Sequence, residues 1–389
     1  MREFLVSAYL FHVKFWFTLF KVFSVKQKTV FVSSFGDNIH YVCEKVLNVT
    51  NDDVIILQVP ESKYQFESNS RTKVIPFHMT KTPLSFIRGI YHLANSRFVF
   101  IDNYFGFLSS TSFKKDVTCV QLWHANGAIK RFGLEDPLIK FRTEKAFKRF
   151  RGVYSRFHRV VVGSDEMAYI FKQAFGVEDD VILKTGMPRT DIFFDYTKQD
   201  KIKEMLHDKY PMIQNRKVVL YAPTFRAQQL KRHSIRLNIK KLYEECKDDF
   251  VLMLRLHPAI MNRYKNNYPD FIIDVSDYPD ANHLLFLTDI LVTDYSSIPF
   301  EYALLEKPMI FYPYDLEEYK TTSGLWKEYD EMVPGPIAYN TDELIELIKG
   351  DHKDLSHIKK FSKRWNKYND GKSTERLVDY LYDEKSSSV

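Results

Sequence analysis

The chain has 389 residues, of which 45% are hydrophobic and 15% aromatic, and its formal net charge of +6 is modest for that length. One ordinary hydrophobic core does not extend over so many residues, so two domains are expected. The three cysteines, Cys43, Cys119 and Cys246, have no metal-ligand spacing. So small and odd a set excludes a disulfide framework and favours a reducing compartment.

The first predicted element is an aromatic helix over residues 1–27, with Phe15 and Trp16 near its centre. Lys14 and Lys21 oppose a membrane span, because charges are costly in the hydrocarbon core, and no small-residue cleavage site indicates a signal peptide. The pattern favours an amphipathic helix in a membrane interface, with aromatic side chains inserted and lysines at the headgroups. The alternative is a helix packed on the protein's own surface, since aromatic stripes usually mark core contacts.

Alternating strand and helix signals predict a first βα domain over residues 28–205. Its strand candidates are short apolar runs at residues 30–32, 54–57, 98–101, 117–122 and 160–162. The turn from Ser33 to Asn38 follows the first of these strands. It therefore places backbone at the carboxyl end of the sheet, where such folds bind ligands.

Trp123 and His124 follow the strand candidate at 117–122, and Asn126-Gly127 form the turn after it. A histidine at that position lies at the mouth of the sheet, where an imidazole is available as a general base. A structural role is the alternative, because a lone histidine at a strand end more often has one.

Residues 138–159 carry eight Lys or Arg side chains against the single acid Glu144, with aromatic residues at helical spacing. A basic amphipathic helix of this kind predicts contact with anionic lipid through Lys148, Arg149 and Arg151. A solvated face and a nucleic-acid site are the alternatives, and nucleic acid ranks last because no nucleic-acid-binding motif accompanies the helix.

A charged, helix-forming stretch at 195–212 marks the domain junction, and a second βα domain is predicted over residues 206–389. Its strand candidates lie at residues 217–221, 250–256, 271–275 and 290–292. Arg226 follows the first of them and His257 the second. Pro258 favours an extended exit that displays the imidazole of His257 at the strand end. Two helices are predicted after Thr341, the last at 373–383.

Residues 290–312 have the pattern of a strand–turn–helix–strand unit. Its turn consists of Asp294, Tyr295, Ser296 and Ser297. The first N–H groups of a helix have no intrahelical partner and the helix dipole is positive there, so both serines stand beside an anion site suited to phosphate. Glu301, one turn onward, is placed to reach a ribose diol. The alternative is that Asp294 and Ser296 only cap the helix.

Together these elements predict one cleft between two doubly wound sheets. The second domain offers Arg226, His257, the two serines and Glu301 to a nucleoside diphosphate, and the first offers His124 to the other reactant. No P-loop, Asp-x-Asp pair or Gly-x-Gly-x-x-Gly is present. We therefore expect phosphate to be neutralised by Arg, hydroxyls and a helix N-terminus. No tightly bound cofactor or protein-held metal is expected, and the sequence leaves open whether a soluble divalent ion assists.

Five motifs occur in a fixed order along most of the chain: Trp123-His124, Gly186-x-Pro188-Arg189-x-Asp191, Tyr221-Ala222-Pro223-Thr224-Phe225-Arg226, Arg255-Leu256-His257-Pro258 and Thr293-Asp294-Tyr295-Ser296-Ser297. This set resembles the CDP-glycerol glycerophosphotransferase family, whose enzymes build wall teichoic acid in Gram-positive bacteria. Many members carry Gly-Thr-Pro after the first histidine, where this chain has Ala125-Asn126-Gly127. That departure bears on acceptor preference more than on the chemistry.

The resemblance implies an α/β fold of the GT-B-like class and attack by an acceptor hydroxyl on the glycerol-bearing phosphate of CDP-glycerol, which releases CMP. It makes His124 the base or the acceptor-orienting imidazole. It implies that His257 contacts the donor's glycerol phosphate or assists proton transfer. The implied donor-binding residues are Arg189, Arg226, Asp294, Tyr295, Ser296, Ser297 and Glu301. Among them the serines hold the diphosphate, the two arginines offset its charge and Glu301 takes the ribose.

Only a short aromatic helix precedes the catalytic part, and in this respect the chain resembles the compact, priming members of the family. We therefore expect an undecaprenyl-diphosphate-linked acceptor and peripheral attachment to an anionic membrane surface at the cytoplasmic face. The alternatives are a GT-B nucleotide-sugar glycosyltransferase and a non-catalytic, nucleotide-binding peripheral membrane protein. The sequence assigns no oligomeric state.

Overall fold

The computed structural model describes residues 2–224, 226, 235–256 and 265–383. The chain folds into two compact units. Unit 1 comprises Met1–His124, Phe132–Asp191 and Lys367–Val389, and unit 2 comprises Ala125–Arg131 and Ile192–Asn366. His257, a predicted catalytic residue, lies outside the described residues.

In the described part of unit 1 the sheet has seven parallel strands in the order β3-β2-β1-β4-β5-β6-β7. They are β1 Lys26–Ser33, β2 Asp53–Gln58, β3 Thr72–Pro76, β4 Ser96–Ile101, β5 Thr118–Gln121, β6 Arg159–Val161 and β7 Ile182–Leu183. Most of these strands contain a short apolar run, as expected where helices cover both faces of a parallel sheet. The order reverses between β1 and β4, which makes that edge the topological switch point where such sheets bind ligands.

The sheet of unit 2, over its described residues, has five parallel strands in the order β10-β9-β8-β11-β12. They are β8 Lys217–Tyr221, β9 Phe250–Leu254, β10 Ile272–Asp274, β11 Ile290–Thr293 and β12 Met309–Phe311. Its switch point lies between β8 and β11, the two strands that precede Arg226 and the Asp294–Ser297 turn.

The α-helices of the described residues are numbered through both units. They are α1 Arg2–Phe20, α2 Asp37–Val49, α3 Pro83–Ala94, α4 Glu144–Tyr154, α5 Asp165–Phe175, α6 Tyr196–Lys209, α7 Ile239–Cys246, α8 Ala281–Leu287, α9 Ile298–Tyr302, α10 Leu316–Ser323, α11 Tyr329–Met332, α12 Thr341–Lys349, α13 Ser356–Trp365 and α14 Ser373–Asp383. Capping residues determine where several of these helices begin and end. In α5, the Ser164 side chain accepts from the Met167 N–H and Gly176 stops the helix with a φ of 63°.

The C-terminal helix α14 belongs to unit 1, whereas the sequence-based division assigned residues 206–389 to one domain. Leu377 and Val378 of this helix are fully buried in the same core cluster as Phe98 and Phe100 of β4. The apolar face of α14 therefore completes the hydrophobic core of the first sheet. The region after Thr341 also forms three helices, where two were predicted.

The segment Ala125–Arg131, directly after His124, belongs to unit 2 rather than to the predicted domain over 28–205. Gly127 lies so close to the ring of Phe300 that a Cβ there would come within 2.2 Å of it. The Asn126 side chain is buried and donates to Asn366 Oδ1 at 2.6 Å. These contacts hold the Ala125-Asn126-Gly127 segment within unit 2.

Helix α1 packs on unit 1 through Val13 and Phe17, each 1% exposed. Its other side exposes large apolar residues, including Phe4, Phe11 and Phe15. Apolar side chains thus occupy both the buried and the exposed sides, and the predicted amphipathic character is not confirmed. Within the described residues, no helix combines the length and the apolarity that crossing a bilayer requires.

Candidate active site

His124 lies at the carboxyl end of β5, where its Nδ1 is 3.1 Å from the main-chain oxygen of Asp102. Asp102 follows β4, the neighbouring strand. A carbonyl oxygen only accepts hydrogen bonds, so Nδ1 carries the proton in this pair. In the neutral imidazole the basic lone pair therefore lies on Nε2, the nitrogen that can accept a proton from a substrate.

Two aromatic rings hold the plane of the His124 imidazole. The ring centroid of Phe35 lies 3.9 Å away at an interplanar angle of 7°, and that of Trp123 lies 4.4 Å away at 27°. Two rings at such distances cannot share one face of an imidazole, so Phe35 and Trp123 lie on opposite faces. Lys63 Nζ lies 4.5 Å from the centroid of Phe35, within the range of a cation–π contact.

The backbone of Trp123 is strained, with a φ of 57°. A bulky residue in the left-handed region costs about 1–3 kcal/mol and persists where its surroundings over-determine it. The Trp123 N–H donates to Gln121 Oε1 at 2.8 Å, and Asn38 Nδ2 donates to the Trp123 oxygen at 3.0 Å. These bonds fix the main chain that carries His124.

The carboxylate of Asp102, only 1% exposed, accepts hydrogen bonds from three consecutive backbone N–H groups. The donors are Ser34 at 3.0 Å, Phe35 at 2.9 Å and Gly36 at 2.8 Å. Burial raises the pKa of Asp102 to about 6, and the three backbone hydrogen bonds oppose that rise. Gly36, with a φ of 96°, lets the turn curl around the carboxylate.

Arg189 supports the same histidine from the chain segment after β7. Its Nη1 donates to the His124 main-chain oxygen at 3.0 Å and to Asp37 Oδ2 at 3.1 Å. Its own N–H donates to Asn38 Oδ1 at 2.9 Å, and its side chain is 11% exposed. Unit 1 therefore brings together two of the predicted site residues, His124 and Arg189, and the contacts of the arginine hold the histidine in place.

In unit 2, Arg226 is enclosed by two carboxylates. Its Nη2 lies 2.8 Å from Asp294 Oδ2 and 2.8 Å from Asp315 Oδ1, while its Nε donates to Asp315 Oδ2. The side chain is 10% exposed. Burial lowers the pKa of Arg226, but the hydrogen bonds with Asp315 and the charge of Asp294 outweigh it, so the pKa ends above its ordinary value. One guanidinium thus faces two carboxylates, and its charge is balanced within the unit.

Tyrosines surround this ion cluster. Tyr295, 2% exposed, stacks on Tyr319 at a centroid distance of 3.6 Å and donates to Asp315 Oδ1 at 3.0 Å. Arg226 lies 4.7 Å from the ring centroid of Tyr314. Burial raises the pKa of Asp294, and the charge of Arg226 opposes that rise. The cluster is a desolvated setting, in which each charge depends on its partners.

The two serines stand at the start of α9. Ser296 Oγ accepts from the Ile298 N–H at 3.3 Å, so it provides a local turn contact. Ser297 occupies the N-cap position, and among the described residues its side chain caps no helix N–H. Asp294 binds the backbone N–H of Thr224 at 2.7 Å and pairs with Arg226, which is a different role from the helix cap considered above.

The sequence profile of the CDP-glycerol:poly(glycerophosphate) glycerophosphotransferase family matches residues 15–383. The chain belongs to this family. The prediction of a CDP-glycerol glycerophosphotransferase, made from five motifs, is thereby confirmed at the level of the family.

Known glycerophosphotransferase-family proteins are similar over most of the chain. It is 42% identical to a teichoic acid glycerol-phosphate primase of Bacillus subtilis (strain 168), over 77% of each chain. It is 39% identical to the corresponding primase of Bacillus spizizenii, over 79% of each. The solved structure of the wall teichoic acid polymerase TagF superposes with a TM-score of 0.83 at 23% identity, covering 99% of this chain and 97% of that one. This likeness confirms the GT-B-like α/β fold.

Of the remaining predicted site residues, Glu301 lies in α9 and is 2% exposed. Phe15 and Trp16 lie in α1, with their rings 5.2 Å apart. Lys148, Arg149 and Arg151 lie in α4, which spans 11 residues and is shorter than the predicted basic stretch. The roles assigned to all of these residues stay predictions.

Sequence reasoning about this glycerophosphotransferase missed Phe35 and Asp102 in unit 1 and Asp315 in unit 2. A signal existed for the first two, because Phe35 follows β1 and Asp102 follows β4, and carboxyl ends of parallel strands meet at one edge. No pattern marks Asp315, since its pairing with Arg226 joins positions 89 residues apart.

Proposed function

We propose that this family member transfers glycerol phosphate from CDP-glycerol to a hydroxyl of a lipid-linked acceptor and releases CMP. Family membership supports CDP-glycerol as the donor substrate. Likeness to two primases, over more than three quarters of each chain, supports a priming role. The structural observation that supports the proposal is the hydrogen bond between His124 Nδ1 and the main-chain oxygen of Asp102, which puts the basic lone pair of the neutral imidazole on Nε2.

In the proposed step, the acceptor oxygen forms a bond to the glycerol-bearing phosphorus while the bond from that phosphorus to the bridging oxygen breaks. CMP leaves with the bridging oxygen, and His124 Nε2 takes the proton of the acceptor hydroxyl. Such transfers depend mainly on positioning and on stabilisation of phosphoryl charge. The fixed plane and tautomer of His124 supply the positioning.

For the donor, we propose that Ser296 and Ser297 contact the diphosphate and that Glu301 contacts the ribose. The charge of Arg226 is already balanced by Asp294 and Asp315. Its contribution to donor binding is therefore to hold the turn that carries the serines. His257 is proposed, on its motif alone, to contact the donor's glycerol phosphate.

The test is CMP release from CDP-glycerol by the purified full chain, with two acceptors. One is the lipid-linked disaccharide, and the other is the same lipid bearing one glycerol phosphate. Activity on the bare disaccharide alone is the expected result for a primase, and activity on the primed lipid alone makes the enzyme an extender. Parallel reactions with and without a chelator test the expectation that no bound metal is needed.

Two other donors complete the test. CDP-ribitol is included because the chain is 34% identical to a teichoic acid ribitol-phosphate primase of Bacillus spizizenii. A UDP-sugar tests the glycosyltransferase alternative. Absence of CMP release from CDP-glycerol with both acceptors would contradict the proposal, whichever other donor reacts.

We propose further that unit 1 attaches the enzyme peripherally to an anionic membrane surface, where its acceptor is anchored. Phe11 and Phe15 on α1 are 67% and 53% exposed. The side chain of Lys148 on α4 is 75% exposed, and Arg149 of the same helix lies 3.5 Å from Glu3 of α1. The Arg149–Glu3 pair links the two helices, so exposed aromatic and basic side chains occur on elements that contact each other.

Flotation with vesicles of anionic and of neutral lipid tests this attachment. Phe11→Ser with Phe15→Ser should lower the bound fraction several-fold, because each aromatic ring contributes apolar area to the interface. Val49→Ser with Tyr169→Ser is the matched control, since both side chains are exposed elsewhere on unit 1. Equal binding by both double variants would contradict attachment through α1.

A further inference from the structure

We infer that Asp102 is a positioning residue that sets both the tautomer and the ring plane of His124. The inference deepens the proposed function and rests on it, because it names the group that prepares the proposed base. Asp102 acts through two different parts of one residue, its main-chain carbonyl and its side-chain carboxylate.

The carbonyl sets the orientation of His124 within the ring plane. It lies 3.1 Å from Nδ1, which makes Nδ1 the donor and Nε2 the basic nitrogen. The carbonyl position is itself determined by the sheet, since Asp102 directly follows Ile101, which pairs with Val32 of β1 and with Gln121 of β5.

The carboxylate sets the plane. It gathers the N–H groups of Ser34, Phe35 and Gly36, and so it fixes the turn from which the Phe35 ring lies 3.9 Å from the imidazole. Both oxygens take part, because Oδ1 and Oδ2 each accept from the Ser34 N–H, at 3.0 and 3.1 Å. An amide in place of the carboxylate would put a donor against the Ser34 N–H at the Oδ1 position, or against all three N–H groups at the Oδ2 position.

The two constraints meet because β1 and β4 are neighbours at the switch point of the sheet. The turn after β1 brings Phe35, and the residue after β4 brings both the carbonyl and the carboxylate. Loss of the carboxylate therefore releases Phe35 and tilts the imidazole, although the sheet itself is unchanged. The alternative, a loop anchor without effect on His124, predicts loss of stability alone.

The first measurement is spectroscopic and independent of turnover. In the full chain labelled with ¹⁵N-histidine, the His124 signals are assigned by their absence in His124→Asn. Wild type should show a protonated Nδ1 and an unprotonated Nε2 at neutral pH. A tilted ring no longer aligns Nδ1 with the Asp102 carbonyl, so Asp102→Asn and Phe35→Leu should each shift both signals toward a mixture of tautomers. Phe35→Tyr, which keeps the stacked ring, should retain the wild-type signals.

The matched control is Asp52→Asn. Asp52 is also a carboxylate of unit 1 with 1% exposure, and its Oδ2 accepts from Thr29 Oγ1 at 2.8 Å, away from the histidine. Burial raises the pKa of this carboxyl as it does that of Asp102. Asp52→Asn should therefore match any general destabilisation and leave the His124 signals unchanged.

The second measurement is the division of the kinetic effect. A misplaced base should lower kcat by about 10²-fold in Asp102→Asn and Phe35→Leu, because small misplacements of catalytic groups cost that much. KM for CDP-glycerol should stay within about twofold, since uniform binding is untouched. Wild-type His124 signals in both variants would overturn the inference. An inactive wild type that still shows the expected tautomer would count against the proposed function alone.

Discussion

The two predicted polar centres of this glycerophosphotransferase are held in place by opposite means. His124 in unit 1 is a ring positioned by a carbonyl oxygen, two aromatic faces and backbone hydrogen bonds. Arg226 in unit 2 is a cation positioned by a buried carboxylate, Asp294, and a partly buried one, Asp315. The first arrangement fixes the geometry of a reactive atom, and the second fixes a turn by balancing charge. Damage to the first should therefore appear in turnover, and damage to the second in stability.

The largest expected effect on stability is that of Arg226→Ala. Removing the cation leaves Asp294 and Asp315 uncompensated, and the loss of one partner from a buried ion pair costs about 3–5 kcal/mol of unfolding free energy. Calorimetry of the full chain measures this loss. Arg236→Ala is the control, because Arg236 lies 5.9 Å from the ring centroid of the same Tyr314 but is exposed. A similar loss in both variants would contradict a buried charge cluster.

The same variant should recover stability in mild acid. Burial raises the pKa of Asp294, and the charge of Arg226 opposes that rise, so removing the arginine raises the pKa further. A carboxyl with a raised pKa in the folded state binds its proton more tightly there than in the unfolded chain. Its contribution to stability is present at low pH and is lost as pH rises through the folded-state pKa. The deficit of Arg226→Ala relative to wild type should therefore shrink from neutral to mildly acidic pH.

A smaller effect is expected in the turn that Asp102 holds. Gly36 has a φ of 96°, and a Cβ there would lie 2.2 Å from Tyr64 Cβ. Gly36→Ala should cost about 1–3 kcal/mol, because both the backbone conformation and the close contact are incompatible with a side chain. Gly106→Ala is the control in the same unit, with its nearest neighbour at 3.8 Å. Equal thermal denaturation midpoints for the two variants would show that the turn tolerates a side chain.

The smallest effect is expected for Ser297→Ala. If its hydroxyl contacts the diphosphate, losing one hydrogen bond should raise KM for CDP-glycerol about three- to tenfold, with kcat nearly unchanged. Ser356→Ala, on an exposed residue at the start of α13, serves as the comparison. An unchanged KM in Ser297→Ala would remove this serine from the proposed donor site.

Most of the sheet was predictable because parallel strands buried on both faces are short apolar runs. The runs at 30–32, 98–101 and 290–292 all lie within observed strands. The membership of α14 in unit 1 was not predictable, because it depends on Leu377 and Val378 filling a core formed by strands that all end before residue 184. The periodicity of hydrophobic residues identifies a helix and its apolar face, but it does not identify the core that this face covers.

The site was predictable in part for a related reason. Residues directly after strands, such as His124 and Asp294, stand out in the sequence because strand ends form the ligand-binding edge. Their partners do not stand out. Asp315 is joined to Arg226 only by folding, and the contribution of Phe35 to His124 depends on ring stacking that no spacing records.

The most direct test of the central claim is single-turnover CMP formation by His124→Asn, with CDP-glycerol affinity measured separately on the same protein. His78→Asn is the control, since His78 accepts locally from the Lys81 N–H in the same unit. We predict that His124→Asn binds CDP-glycerol as wild type does and forms CMP about 10³-fold more slowly, within the range for loss of a general base. CMP formation within about threefold of wild type would contradict the assignment of His124 as that base.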